Sequence, residues 1–218
     1  MKVEIWSDVV CPWCYIGKRR FESAMARFDG AADVEVTWRS FQLNPTHPKG
    51  VRMPHDGWLL MKTAGTAAQV EATNQRVMSL AAAEGLAYDF ERYQVINTFD
   101  AHRVAHLGAA RGLGDAIQER LLRGQLVEGE VLDDAETLVR LAGEVGLPAD
   151  DVRRVLETDA YAAEVGEDIR EAHAIGVTGV PFFVLDRRYG VSGAQPAELF
   201  LQALAGARDA AATKPPAR

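Results

Sequence analysis

Cys11 and Cys14 are the only cysteines in the chain, and they stand three residues apart where one periodicity gives way to another. Val3-Glu4-Ile5-Trp6 alternates in the manner of a short strand. Ser7-Asp8-Val9-Val10 reads as a loop. Cys11-Pro12-Trp13-Cys14 then opens a helix whose apolar side is Ile16, Phe21, Ala24, Met25 and Phe28. Pro12 suits the first helical turn, where its missing N–H would have had no partner anyway. Gly30 supplies a stop, and Val34-Glu35-Val36-Thr37-Trp38 alternates again. Strand, helix and strand, complete by about residue 41, predict a parallel pair joined by a right-handed crossover.

Two thiols so placed leave little chemistry open. A disulfide framework uses more cysteines at wider spacing, and a structural zinc site needs four ligands. What remains is a redox pair, with no metal expected. Unpaired main-chain N–H groups and the positive end of the helix dipole favour a thiolate at Cys11. Cys11 is therefore expected to be the exposed nucleophile. Cys14, one turn inward, is the shielded resolving thiol, and exchange runs through a mixed disulfide. Pro12 and Trp13 set how many amides reach the sulfur. Lys18, Arg19 and Arg20 read as a solvated face, and Asp8 reads as a turn cap.

Pro45, Pro48, Gly50 and Pro54 break the pattern. From about Asp56 to Ile175 helices follow one another with no convincing strand. Their apolar marks are Val70 to Ala81, Val104 with Leu107, Ile117 to Leu126, Leu138 to Val145, Val152 to Leu156, and Tyr161 to Ile175. Asp133 with Glu136 resembles a capping box. Trp58 and Met61 read as core or groove lining, and His102 with His106 as a solvent-facing pair. Strand character returns at Val180-Pro181-Phe182-Phe183-Val184-Leu185. A tight turn at Asp186-Arg187-Arg188 leads to Tyr189-Gly190-Val191-Ser192, and Pro196 begins a last helix. The layout is α/β: βαβ, a helical insertion, then ββα. Residues 1–45 and 176–206 form one unit, 46–175 the insertion, and 207–218 a disordered tail.

The acidic balance, a net charge of −7, argues against nucleic acid, which needs a basic stripe. No apolar run approaches a membrane span. Met1 to Asp8 carries acids where an export signal needs an apolar core, so the expected address is cytoplasmic. Pro181 sits inside an apolar strand, where composition alone favours a trans bond at an edge. A cis Val180–Pro181 bond would instead expose the Val180 backbone to an extended partner beside Cys11.

Four motifs occur in order: Cys11-Pro12-Trp13-Cys14-Tyr15-Ile16-Gly17, Asn97-Thr98-Phe99-Asp100-Ala101-His102-Arg103, Gly176 to Phe183, and Val191-Ser192-Gly193-Ala194-Gln195-Pro196. Together they resemble the DsbA-like branch of the thioredoxin superfamily, and within it the FrnE-type members. The resemblance covers the chain to about Leu204. It implies a thioredoxin fold with a large all-helical insertion, a cis Pro181 against the active-site sulfurs, and thiol–disulfide oxidoreductase or isomerase activity. It makes Cys11 and Cys14 catalytic, and gives Pro12, Trp13, Val180, Pro181, Asn97, His102 and Arg103 to substrate. Expected partners are thiol- or disulfide-containing proteins or peptides. No cofactor is implied beyond the cysteine pair, with glutathione as a co-substrate. No leader of the kind exported DsbA proteins carry is expected, the dipeptide between the cysteines differs from theirs, and the second, C-terminal cysteine pair of some FrnE-type proteins is not among these residues. Kappa-class glutathione transferases and 2-hydroxychromene-2-carboxylate isomerases are similar in layout but carry serine at the place of Cys11. They give the alternative, a glutathione-dependent isomerase or transferase using Asn97, Val180, Ser192 and Gln195.

Overall fold

The computed structural model describes residues 1–212. Strand β1 (Lys2–Ser7) lies inside a four-stranded sheet ordered β2-β1-β5-β6, with β2 (Glu35–Ser40), β5 (Phe182–Leu185) and β6 (Tyr189–Ser192). β1 runs parallel to β2, with α1 (Pro12–Met25) as the crossover, and antiparallel to β5, where Ile5 faces Phe183. The β5–β6 turn puts Asp186 and Arg187 at φ of 47° and 58°, left-handed geometry that matches the twist of a tight hairpin. The Asp186 carboxylate accepts from Lys2 N at 2.7 Å and ties that turn back to β1.

Alternation along β1 sorts its side chains to two cores. Val3 and Ile5 join Phe183 and Leu185 on one face, covered by Phe21 and Ala24 of α1 and by Phe200 and Leu204 of α9 (Ala197–Ala212). The Phe183 and Phe200 rings meet edge to face at 4.5 Å, a favoured aromatic geometry. The expected tail from residue 207 is helix to Ala212. Ala207 is buried and the Arg208 guanidinium lies 5.2 Å from the Phe28 ring, so an alanine-rich stretch with something to pack on stays helical. Residues 213–218 lie outside the described residues.

Trp6 and Val184 point to the opposite face, where Phe41, Val177 and Ala172 of α8 (Ala162–Ala174) cover them. Asp168 of α8 accepts from Ser40 N at 2.8 Å and from Arg39 at 3.0 Å, and its carbonyl accepts from Trp6 Nε1 at 2.9 Å. Helix α8, assigned to the insertion by sequence, therefore covers the sheet. Periodicity reports that a helix has an apolar side, not which neighbour takes it.

The insertion holds β3 (Met53–Pro54), α2 (His55–Thr63), α3 (Ala67–Ala83), β4 (Gln94–Val95), α4 (Phe99–Ala110), α5 (Gly114–Arg123), α6 (Ala135–Glu144) and α7 (Ala149–Glu157). The two-residue β3 and β4 pair antiparallel, and α2 follows Pro54 directly. Neither feature was expected, because proline and Gly57 look like breakers. Asp134, not Asp133, caps α6 by accepting from Thr137 N at 2.9 Å. Asp133 pairs with Arg52 at 3.3 Å instead.

Charge fastens the insertion to α1. Lys18, with its side chain 2% exposed, pairs with Glu22 and reaches Asp115 at 3.3 Å and Glu119 at 3.1 Å on α5. Arg19 pairs with Glu119, and Arg20 with Glu84 at 2.6 Å. The three bases read as a solvated face form an interface. Apart from Glu22, their acidic partners lie far away in sequence, where local pattern has no view. Among the described residues no helix is long and apolar enough to cross a membrane.

Candidate active site

Cys11 is the residue that caps α1, in an extended conformation (φ −91°, ψ 112°). Its N–H donates to Asp8 O and its carbonyl accepts from Cys14 N, both at 3.0 Å. The Val180–Pro181 bond is cis, as the resemblance implied and composition did not. The Cys11 thiol donates to Val180 O at 3.4 Å. Gly17 allows α1 to come this close to the loop, since a Cβ there would stand 2.8 Å from Pro181 Cγ.

Both cysteines are free thiols, and Cys11 is only 3% exposed against 1% for Cys14. The expected exposed sulfur is thus roofed by the insertion. No first-turn amide hydrogen-bonds to the Cys11 side chain. Pro12 has no N–H and Cys14 N is already engaged, so the sulfur turns to Val180 O. Burial pushes the Cys14 thiol well above its ordinary range. The hydrogen bond and charge of Cys11 add to this, and the Ser7 hydroxyl and Asp8 backbone pull partly back. Cys14 is held as a neutral thiol near neutral pH.

Two tyrosines from the segment between α3 and β4 clamp the backbone around Cys11. Tyr88 donates its hydroxyl to Pro12 O at 2.6 Å, and Tyr93 donates to Val10 O. Burial, then neighbouring charges including those of the sulfurs, raise both phenols far above their ordinary range, so both keep the proton they donate. Between this clamp and α2 a cavity of about 210 Å³ opens on Cys11, walled by Pro12, Trp13, Trp58, Val77, Phe90 and Ile96 among others. Next to Val180, whose carbonyl meets the sulfur, Thr178, Val180, Pro181 and Ser192 line an open groove of about 290 Å³.

Residues 2–205 match the model of the DSBA-like thioredoxin domain family. This chain belongs to the DsbA-like thioredoxin family. It is similar to a probable DsbA oxidoreductase from Streptomyces coelicolor, with 47% identity, a TM-score of 0.95, and coverage of 100% of this chain and 93% of that one. Two more distant structures share the fold. A 2-hydroxychromene-2-carboxylate isomerase has a TM-score of 0.70 at 16% identity, covering 98% of this chain and 100% of that one. The cytosolic disulfide reductase DsbM from Pseudomonas aeruginosa with GSH has a TM-score of 0.64 at 20% identity, covering 95% and 100%.

In this DsbA-like chain the residues expected at the site divide. Pro12 and Trp13 stand in the cavity wall, and Val180 and Pro181 flank the sulfur. Asn97 does not reach it: its amide donates to His47 O at 2.5 Å and its Oδ1 accepts from Phe99 N at 2.9 Å, shaping the start of α4. Arg103 points away too, spending its guanidinium on the carbonyls of Val155, Thr158 and Ala160. One helical step separates His102 from Arg103, so only one of them can face inward. His102 does, meeting Asp8 Oδ1 at 3.3 Å beneath the Cys11 loop. His106 bonds Asp168 at 3.0 Å, so the expected solvent-facing histidine pair is two buried or half-buried contacts. Asp8 is fully buried, accepts from Leu43 N at 2.8 Å and caps its turn as read. Trp58 lines the cavity, whereas Met61 is 68% exposed. Gln195 donates to Ser192 O within its own loop.

His55, Asn74, Tyr88, Phe90 and Tyr93 were not found by sequence. A density of aromatics at Tyr88-x-Phe90-x-x-Tyr93, with no helical period, was the one available signal. Among the described residues no group of three or more His, Cys, Asp or Glu side chains is placed to hold a metal.

Proposed function

We propose that this DsbA-like thiol oxidoreductase exchanges disulfides through Cys11 as nucleophile and Cys14 as resolving thiol. The observation that carries the reading is the placement of Cys11. It caps α1 against the Val180 carbonyl, lines an apolar cavity, and has a neutral thiol one turn behind it.

The steps balance. The Cys11 thiolate attacks one sulfur of a substrate disulfide, forms a mixed disulfide and releases the other half as a thiolate that takes up a proton. Cys14 then attacks the Cys11 sulfur, and its proton leaves with the departing substrate thiol. The pair has given two electrons and become a disulfide. A thiol reductant, glutathione for example, restores it, and the reverse sequence oxidises a dithiol. The cysteines carry the electrons, so no prosthetic group is required. The Val180–Pro181 groove offers a backbone dock for an extended peptide, and a cytoplasmic site of action belongs to the same reading.

The glutathione-dependent isomerase alternative is weaker. Glutathione carries two carboxylates that need counter-ions, and among the described residues Asp8 is the only formally charged side chain in the cavity wall. Insulin reduction with the Cys11→Ser variant tests the reading. A loss of at least about 100-fold is expected, and full retained activity overturns it. Cys14→Ala should stall with one substrate thiol disulfide-bonded to Cys11, visible as an intact-mass increase that a reductant removes.

A further inference from the structure

The cavity over Cys11 has a chemistry of its own. It is walled mostly by apolar and aromatic side chains from both parts of the chain, with Asp8 the one formally charged group, and among the described residues no lysine or arginine stands in its wall. That composition turns away glutathione and other polyanions. Its volume is about 210 Å³, while an apolar cavity of roughly 150 Å³ takes up benzene. One substituted ring fits, and a folded polypeptide does not.

The wall contains one polar group that nothing among the described residues satisfies. His55 is 7% exposed and packed against the touching Phe90 and Tyr93 rings at 4.7 and 4.8 Å. Its Nε2 meets Asn74 Oδ1 at 3.2 Å. Asn74 is fixed the other way round as well, because its Nδ2 donates to Asp56 Oδ1 at 2.7 Å. Asn74 therefore presents an acceptor to His55, and Nε2 must carry the proton. Burial holds the imidazole below its ordinary value, against the opposing pull of Asn74 and Asp56, so the ring is neutral. Nδ1 is left as a bare lone pair, buried and without a partner. A buried acceptor of this kind calls for a donor on whatever enters.

We infer that the cavity is the binding site for a small, neutral aryl disulfide whose ring bears a hydroxyl or amino donor, with the donor on His55 Nδ1 and the disulfide sulfur on Cys11. The inference rests on the disulfide-exchange reading and narrows its substrate class. One aryl group occupies the cavity. The Cys11 thiolate forms the mixed disulfide with that half and expels the other half as a thiol. Cys14 completes the two-electron reduction by releasing the bound aryl thiol, and a small thiol reductant returns the cysteine pair to the dithiol. The donor requirement makes His55 a specificity-determining residue.

The test has two independent arms on the full chain. In the binding arm, 4-ethylphenol and ethylbenzene are titrated against the reduced protein, with Trp13 and Trp58 fluorescence as the readout. The phenol should bind about tenfold more tightly, the size of one neutral hydrogen bond. His55→Phe, which keeps a ring against Phe90 and Tyr93, should shrink that preference to about twofold or less. Leu59→Trp, at the half-buried mouth, should abolish saturable binding of both and serves if the His55 variant does not fold. Equal binding of the two probes overturns the inference, as does a preference that His55→Phe leaves intact or saturable binding that survives Leu59→Trp. In the turnover arm, bis(4-hydroxyphenyl) disulfide should be reduced with a kcat/KM about tenfold above its methyl ether and above glutathione disulfide. A wild-type protein that reduces insulin but not the aryl disulfide overturns the inference alone. A protein that reduces no disulfide, insulin included, overturns the exchange reading itself.

Discussion

The insertion meets the sheet in two ways. Along one seam the contacts are charged: Lys18 and Arg19 of α1 reach Glu119 of α5, while Asp168 of α8 gathers Arg39 and Ser40 of β2 with His106 of α4. Above Cys11 the contacts are apolar and incomplete, and a cavity is left. The difference shows where each part of the molecule is free to change. Buried ion pairs are strict about geometry and fix the orientation of the insertion. An apolar wall is not, so space at the sulfur can be kept without loosening the whole. The seam should therefore govern stability, and the cavity wall should govern chemistry.

The largest effect that would break this division is at Asp168. Its carboxylate is 2% exposed and holds three partners at once. Asp168→Asn removes a buried charge while Arg39 keeps Glu4, so a loss of about 3 kcal/mol is expected from denaturant unfolding. The kcat of disulfide reduction should stay within about twofold, because no seam residue touches the sulfurs. A variant of unchanged stability, or one that folds but loses turnover, would show that the seam and the site are not separate.

The next effect is in pH, where the two regions should fail at opposite ends. Burial alone would raise the Asp168 carboxyl, but hydrogen bonds from His106 and Ser40 N and the charges of His106 and Arg39 hold it below the ordinary 3.8. Stability from a lowered carboxylate is present above that ordinary value and is lost as pH falls through it toward the folded value. Cys14 is displaced the other way, chiefly by burial, from an ordinary value of 9.0. Its contribution is complete below that value and drains away as pH rises beyond it. Each group adds at most about 1.4 kcal/mol per pH unit inside its window. Unfolding midpoints against pH should fall at both ends. Asp168→Asn should flatten only the acid limb and Cys14→Ala should reduce only the alkaline one, while crossed effects would contradict the assignment.

Much of the sheet was legible in the sequence because its signals are local. Strand alternation at Val3 to Trp6, the turn at Asp186 and the proline after Cys11 each depend on neighbours a few residues away. The site was legible where one motif contains it, as at Cys11, Cys14 and Pro181. It was hidden where the chemistry is assembled across the chain. Lys18 looked solvated because Glu119 is a hundred residues distant. Arg103 looked available because the carbonyls that absorb it belong to the last turn of α7 and the α7–α8 connection. His55 gave no sign of an unpaired nitrogen, since that depends on the direction in which Asn74 is turned by Asp56. Cys11 looked exposed because helix-start geometry says nothing of a roof delivered from another segment.

The smallest effect tests the roof. Tyr93 is buried and donates to Val10 O, one residue before Cys11. Tyr93→Phe keeps the ring in the cavity wall and removes only the hydroxyl, leaving a buried carbonyl without that donor. A stability loss of about 1 kcal/mol is expected. The diagnostic readout is chemical. A loop held by one tyrosine, Tyr88, in place of two should let Cys11 sample more orientations against Val180 O. Its alkylation rate by iodoacetamide should then change by a few-fold, while the acid limb of the unfolding curve stays where it was. If Tyr93→Phe shifted the acid limb and left alkylation untouched, the clamp would belong to the seam, and the cavity would lose its claim to a separate role in the chemistry.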